Sequence, residues 1–252
     1  MKFSYEDLIS GDAIFVPDVG HLNPPRLWQL KPTQGIGMWA YNLYVSVFSW
    51  NRQEAIDFLA VTEKIKTEKL NNDRLTSFDV MTLIESSRQL LLNALAFFIE
   101  EKVTWDAVEH CFVTVSKNGA IIGRIDRANF AEVSDMILQL NYIGVGKNNK
   151  PIRHSSKEAE ALWNKAQEYL KRESSKTPKD KNMSIGNIIS KLCAATPAYN
   201  LQNIYDLTIF QLYDQFFQYG YLRAMNVNEM AFCNHGGKNF NLEDWLKPLT
   251  NF

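Results

Sequence analysis

The stretch TSFDVMTLIESSRQLLLNALAFF, residues 76–98, indicates the fold class of this chain. It opens with Thr76 and Asp79 at the spacing of a capping box, in which a hydroxyl and a carboxylate satisfy the free amides at the start of a helix. Apolar residues then recur at intervals that place them on one face of a helix, namely Met81, Ile84, Leu91, Leu95 and Phe98. The pattern predicts one long helix with a buried face, and hence a mainly α-helical domain.

The same periodicity predicts further helices on both sides of this stretch. Apolar residues fall at helical spacing over residues 38–59, 130–140 and 185–192. The second of these helices is expected to end at Gly144 and Gly146, because glycine readily takes the left-handed conformation that closes a helix.

Another helix is expected to start at Thr208, and it carries an unusual number of aromatic side chains. Thr208 and Gln211 repeat the capping-box spacing, and Leu207 and Leu212 have the spacing of a hydrophobic staple. The apolar pattern continues to Gly220, where we expect the helix to stop.

Short extended segments complete the predicted fold. Residues 13–16 and 19–22 are punctuated by turn residues near the N-terminus. Residues 111–125 predict a β-hairpin, because apolar side chains alternate on both sides of Asn118-Gly119, a pair typical of a two-residue type I′ turn. The expected fold class is therefore mainly α (α+β): a helical core with a small N-terminal extended segment, one inserted hairpin and a C-terminal helical module.

Changes in composition divide the chain into three regions. Residues 1–146 form the expected N-terminal, mainly helical domain. Residues 147–182 are polar and basic, with few apolar anchors, which predicts a solvated helix and a linker. Residues 183–252 are dense in aromatic side chains and form the expected C-terminal helical module.

Overall composition predicts a soluble intracellular protein. With 46% hydrophobic and 22% charged residues the chain can build a core, and a net charge of −1 offers no general attraction for nucleic acid or anionic membrane. The three cysteines are far apart and odd in number, as expected in a reducing compartment. The N-terminus lacks the apolar run of a signal peptide, and residues 90–99 are too short to span a bilayer.

Two sequence features resemble parts of phosphate-binding and metal-binding sites. Gly144 to Lys147 resembles the end of a phosphate-binding loop but lacks the earlier glycine and the hydroxyl after the lysine. His110, Cys111, Cys233 and His235 do not have the paired spacing of structural zinc ligands. We therefore expect no metal and no cofactor.

Nucleophilic catalysis is not indicated either. The nucleophile elbow G-x-S-x-G is absent from the sequence. A spatial assembly of Cys193 with His235 stays open, because active sites form in three dimensions. The expectation is a non-enzymatic protein with no catalytic residues.

Nucleic-acid binding is the alternative function, and it rests on the basic region 165–181. The candidate residues there are Lys171, Arg172, Lys176, Lys179 and Lys181. Acidic residues within this region lower its net positive charge. The gap between the two predicted tail helices is also longer than the short turn of a helix-turn-helix motif. A solvated linker is the preferred interpretation.

Protein binding is the preferred function, and it rests on the aromatic tail. Residues 209–221 carry apolar side chains on more than one helical face, which exceeds what a single buried stripe requires. The residues proposed to form an interface are Phe210, Tyr213, Phe217, Tyr221 and Trp245.

Both ends of the chain resemble tail-region proteins of tailed phages and prophages of Gram-positive bacteria. The resemblance is carried by Ser10 to Ile14 and Tyr41 to Tyr44 at the start, and by Asn203 to Phe216 and Asp244 to Leu246 at the end. It implies a role in tail morphogenesis in the host cytoplasm, such as an assembly chaperone that binds the tape-measure protein. It implies no catalytic residue, and it leaves open both the oligomeric state, a homo-oligomer included, and retention in the virion.

Overall fold

The computed structural model describes residues 2–63, 74–144 and 184–235. Within these ranges the protein is mainly α-helical with two small antiparallel sheets, which confirms the predicted fold class. In chain order the elements are α1 (Tyr5–Ser10), β1 (Ile14–Val16), β2 (Gly20–Leu22), a 3-10 turn (Leu27–Leu30), α2 (Gly37–Ser49), α3 (Arg52–Glu63), α4 (Ser77–Thr82), α5 (Glu85–Phe98), β3 (Lys102–Asp106), β4 (Cys111–Val115), β5 (Ile121–Ile125), α6 (Phe130–Leu140), α7 (Ile185–Ala195), a second 3-10 turn (Ile204–Asp206) and α8 (Ile209–His235).

The capping box at Thr76 is confirmed, but the stretch behind it forms two helices and not one. The hydroxyl of Thr76 accepts from the Asp79 amide, and the Asp79 carboxylate accepts from the Thr76 amide. The helical conformation is interrupted at Ile84, whose backbone is extended, and α5 begins at the next residue. The buried Ser87 hydroxyl donates to the Met81 carbonyl at 2.8 Å, so a side chain satisfies a group that the helix leaves free.

A second predicted helix, over residues 38–59, also divides into two. The break comes at Trp50, whose backbone is extended, and α3 starts just after it. Asn51 and Glu54 cap that start reciprocally: the Glu54 amide donates to Asn51 Oδ1 at 3.0 Å, and the Asn51 amide donates to Glu54 Oε2 at 2.8 Å. The spacing of Asn51 and Glu54 is that of a capping box and can be read from the sequence. The apolar periodicity continues through it, however, and so predicted a single helix.

The predicted hairpin is present as β4 and β5, with an unpredicted third strand, β3, beside β4. Its turn is not the expected type I′. Gly119 has a positive φ of 85°, whereas Asn118 does not, and the Gly119 amide donates to the Ser116 carbonyl at 2.9 Å. A bulge between Thr114 and Val115 shifts the register, so the loop is longer than two residues.

The two predicted N-terminal segments pair as β1 and β2, and the turn between them contacts the larger sheet. The amide of Arg124 in β5 donates to the Asp18 carbonyl in the β1–β2 turn at 2.9 Å. On the other side, His21 Nδ1 lies 2.6 Å from Glu101 Oε1, and the His21 amide donates to Glu101 Oε2 at 2.9 Å. These contacts fix the small sheet between β5 and the junction of α5 with β3.

One buried hydrophobic cluster extends from Phe3 to Leu212 and includes side chains from both predicted modules. Residues 25–27 lie beside residues 207–209, joined by an antiparallel bridge between Arg26 and Thr208. The predicted boundary at residue 183 therefore separates two segments that share a core. The predicted polar helix and linker over residues 147–182 lie outside the described residues.

Candidate protein-interaction surface

The start of α8 is held to the N-terminal segment by backbone and side-chain hydrogen bonds. The predicted capping box is present: the Gln211 amide donates to Thr208 Oγ1 at 3.1 Å, and the Thr208 amide donates to Gln211 Oε1 at 2.9 Å. The other end of the Gln211 side chain donates to the Ile9 carbonyl at 2.8 Å. Arg26 adds a bond from Nη1 to the Asp206 carbonyl at 2.7 Å. The first turn of α8 is therefore fixed in position.

The first residues of α8 belong to the core. Ile209, Phe210 and Leu212 are completely buried. Phe210 therefore packs inside the protein and is not part of an exposed surface, which corrects its assignment to an interface. Its face of the helix points inward because the capping box and the bridge at Thr208 orient this turn toward α1 and α6.

Asp214 is a buried carboxyl at the point where α8 starts to leave the core. Burial raises its pKa, against the opposing effect of hydrogen bonds from Tyr5 and Gln218. The Tyr5 hydroxyl donates to Asp214 Oδ2 at 3.1 Å, and burial together with the neighbouring carboxyl raises the pKa of Tyr5 to about 12. No sequence pattern predicts this pair, since its members are 209 positions apart.

Tyr142 is a second residue that sequence patterns did not identify, and it contacts α8 directly. Helix α6 ends in a Schellman motif, with the Tyr142 amide donating to Gln139 and the Ile143 amide to Leu138. Tyr142 takes the left-handed position with φ of 60°, a conformation that costs a non-glycine residue about 1 kcal/mol. The left-handed residue that closes α6 is therefore Tyr142, two residues before the expected Gly144. Gly146 lies outside the described residues.

The strained backbone of Tyr142 places its ring against three aromatic residues of α8. Its centroid lies 5.1 Å from Phe210, 5.8 Å from Tyr213 and 5.5 Å from Phe217. The rings of Tyr142, Tyr213 and Phe217 are within 28° of parallel. We call these three rings the aromatic platform. Phe217 is 39% exposed, so the platform reaches the surface.

A cavity of about 330 Å³ opens beside the aromatic platform. Uncharged residues line it, namely Tyr41, Asn42, Val45, Asn141, Tyr142, Ile143, Ile185, Tyr213 and Phe217. The Tyr41 hydroxyl donates to Asn141 Oδ1 at 2.6 Å, and Asn141 Nδ2 donates to the Ile137 carbonyl at 2.7 Å, so these two buried polar side chains are hydrogen-bonded within the protein. The lining suits an apolar side chain better than a charged one.

Beyond the aromatic platform, α8 projects from the core. The helix does not stop at Gly220 as expected but continues to His235, because Gly220 keeps ordinary helical geometry. Tyr221 is half-buried, while several apolar side chains farther along are between 41% and 58% exposed: Leu222, Val227, Met230 and Phe232. Exposed apolar groups concentrated on one helix are typical of a surface that binds another protein.

The remaining predicted site residues fall outside the part of the chain that the structure describes. These are Trp245 in the proposed interface and the basic residues Lys171, Arg172, Lys176, Lys179 and Lys181. Among the described residues, no three His, Cys, Asp or Glu side chains are grouped so that they could hold a metal ion. In the same ranges no helix has both the length and the apolarity needed to cross a membrane.

Comparison with known proteins finds a similarity in the C-terminal part of the chain. Residues 176–250 match the family model described as YomV second domain, a family of the phage and prophage type. No curated protein and no solved structure matches the chain. The matched stretch contains α7, the second 3-10 turn and all of α8, so the projecting helix lies within the part of the chain that is similar to this family.

Proposed function

We propose that the protein is a non-enzymatic phage or prophage tail-assembly protein that binds an amphipathic helix of the tape-measure protein or another tail protein. The observation that supports this most directly is the projecting, apolar α8, which lies within the family match. The resemblance of both chain ends to tail-region proteins suggests which kind of partner is bound.

The proposed binding surface starts at the aromatic platform and continues along α8. Phe217, Tyr221, Met225 and Phe232 follow at intervals of four, four and seven residues, which keeps them on one side of the helix. A partner helix laid along this side would contact a continuous apolar strip and could insert one side chain into the cavity beside Tyr142. Helices that bind in apolar grooves commonly use such regularly spaced anchors.

The charge of this surface favours a protein partner over nucleic acid. Between residues 215 and 234 of α8 the charged residues are Arg223 and Glu229, so the helix has no net charge. Apolar binding should change little with salt, whereas contacts from basic residues to phosphate weaken steeply. Salt dependence thus distinguishes the proposed function from the nucleic-acid alternative based on Lys171 to Lys181.

A site-specific photo-crosslinker tests the proposal in induced lysogenic cells. The crosslinking residue is placed at Phe217 or at Tyr221, and a matched control is placed at exposed Lys191 on α7. We expect the two α8 positions, but not the control, to capture a tail protein that mass spectrometry identifies. Capture of host proteins alone, or equal capture from Lys191, would contradict the proposal.

Particle morphology supplies an independent readout. A phage in which Phe217 and Tyr221 are both replaced by alanine should yield fewer tailed particles by electron microscopy, at unchanged protein level. Replacement of the exposed Gln202 by alanine is the control and should leave tails normal. Normal tail numbers in the double variant would exclude a role for this surface in assembly. Purified particles also show whether the protein leaves the host cytoplasm with the virion.

A further inference from the structure

We infer that Arg88 anchors a binding site for a carboxylate with an apolar body, such as a free carboxylic acid or the C-terminus of a peptide. The site is a cleft of about 800 Å³ between α4, the first turn of α5, the β3–β4 turn and the β5–α6 connection. Sites for small molecules commonly have this volume. Its lining residues differ from those of the cavity beside Tyr142, so the site is separate from the proposed tail-protein surface.

Arg88 is half-buried and has no acceptor within the part of the chain that the structure describes, neither a carboxylate nor a carbonyl. Such arginines are normally paired, because removing a charge from water without a partner is costly. The guanidinium lies over the Trp105 ring, with Cζ 5.2 Å from the centroid. This contact holds the group in place and leaves its N–H donors available. His110 lines the same cleft, with its ring 6.2 Å from Trp105, and adds a further donor.

The acidic groups of the cleft are mostly occupied by other partners. Three of them line it: Asp79, Glu109 and Asp126. Asp79 caps α4 and lies 3.4 Å from Arg127 Nε. Asp126 Oδ1 accepts from the Ala128 amide at 2.7 Å. The exposed Glu109 is left, and its charge opposes an incoming anion. Arg88 is therefore the cation of the cleft that an anion from outside the protein can pair with.

The rest of the lining determines what the anion is attached to. Apolar side chains form these walls: Leu75, Phe78, Leu83 and Ala128. Leu83 is 54% exposed, and an apolar ligand that covered it would remove this surface from water. A planar guanidinium forms two parallel hydrogen bonds with a carboxylate. Inorganic phosphate could accept the same bonds, but it would leave the apolar walls uncovered.

A titration of the full chain followed by nuclear magnetic resonance tests the site, with the Trp105 indole N–H as reporter. Phenylacetate should shift this signal, and phenylacetamide, which has the same shape without the charge, should not. A short peptide that ends in phenylalanine identifies the natural source: tighter binding than phenylacetate supports a protein C-terminus, and weaker binding supports a free acid. Equal shifts from phenylacetate and phenylacetamide, or a shift with inorganic phosphate alone, would overturn the inference.

Substitutions separate a binding role of Arg88 from a structural one. Arg88→Lys keeps the charge without the paired donors and should weaken phenylacetate binding about tenfold. Glu109→Gln removes the opposing charge and should strengthen binding about two- to fivefold. Arg124→Gln is the control, since this exposed arginine of β5 lies outside the lining and should leave the dissociation constant unchanged. Circular dichroism checks folding. Unchanged binding in Arg88→Lys would mean that Arg88 only packs on Trp105, and would overturn the inference.

Discussion

Gln211 offers the sharpest test of how α8 is anchored, because local and tertiary reasoning predict different results for Gln211→Glu. Glutamate serves as well as glutamine in a capping box, so the sequence alone predicts no loss of stability. In the structure, however, Gln211 Oε1 accepts from Thr208 while Nε2 donates to the Ile9 carbonyl at 2.8 Å. A carboxylate keeps the first bond and cannot make the second.

The expected loss of stability arises because the Ile9 carbonyl is left without a hydrogen-bond donor. Leaving the half-buried Ile9 carbonyl unpaired, and facing a carboxylate oxygen, costs about 1–3 kcal/mol. A negative charge in the first turn of α8 offsets about 0.3–1 kcal/mol through the helix dipole. The free energy of unfolding should therefore fall by about 1–2 kcal/mol, and the melting temperature by about 2–4 °C for each kcal/mol in a chain of this length.

Chemical denaturation at pH 7, followed by circular dichroism, measures this difference. Gln215→Glu is the matched control, since it makes the same change one turn farther along α8 and should alter stability by less than about 0.5 kcal/mol. If Gln211→Glu is as stable as the wild type, the bond to Ile9 contributes nothing and the anchoring of α8 described above is incorrect.

Three further substitutions test other features of the fold by the same measurement. Gly123→Ala should lower stability by about 1–3 kcal/mol, because a Cβ there would lie 2.2 Å from the Asp18 carbonyl group. Gly220→Ala should raise stability by about 0.5–1 kcal/mol, since the position is inside α8 with open space around it; a loss would mean that the helix ends there. Asp214→Asn should stabilise the protein at pH 7. The raised pKa of Asp214 means that wild-type stability falls as pH rises above about 4, where the unfolded carboxyl ionises, so the advantage of asparagine should vanish below that pH. A pH-independent difference would contradict the burial of a charged Asp214.

The burial of the aromatic residues of α8 was only partly predictable from sequence. Tyr213, Phe217 and Tyr221 were proposed as interface residues from the density of aromatic residues, and all three lie on α8 without being fully buried. Phe210 has the same local pattern but is buried, because α1 and α6 cover its side of the helix. Composition reports how many apolar side chains a helix carries, and the neighbouring elements decide which of them face solvent.

By itself the sequence determined where two of the helices, α4 and α8, start. The capping boxes at Thr76 and Thr208 are correct because a cap is formed by residues three positions apart, so its partners are adjacent in the printed sequence. The predicted hairpin over residues 111–125 is likewise local.

Only the tertiary structure decided how these elements combine into a core and a projecting helix. Tyr5 donates a hydrogen bond to Asp214, 209 residues away in sequence, and Gln211 donates one to the Ile9 carbonyl, 202 residues away. Tyr142 accepts a left-handed backbone where glycine was expected two residues later, since its ring packs on α8. Such contacts depend on the packing of the whole chain, and no spacing within one segment encodes them.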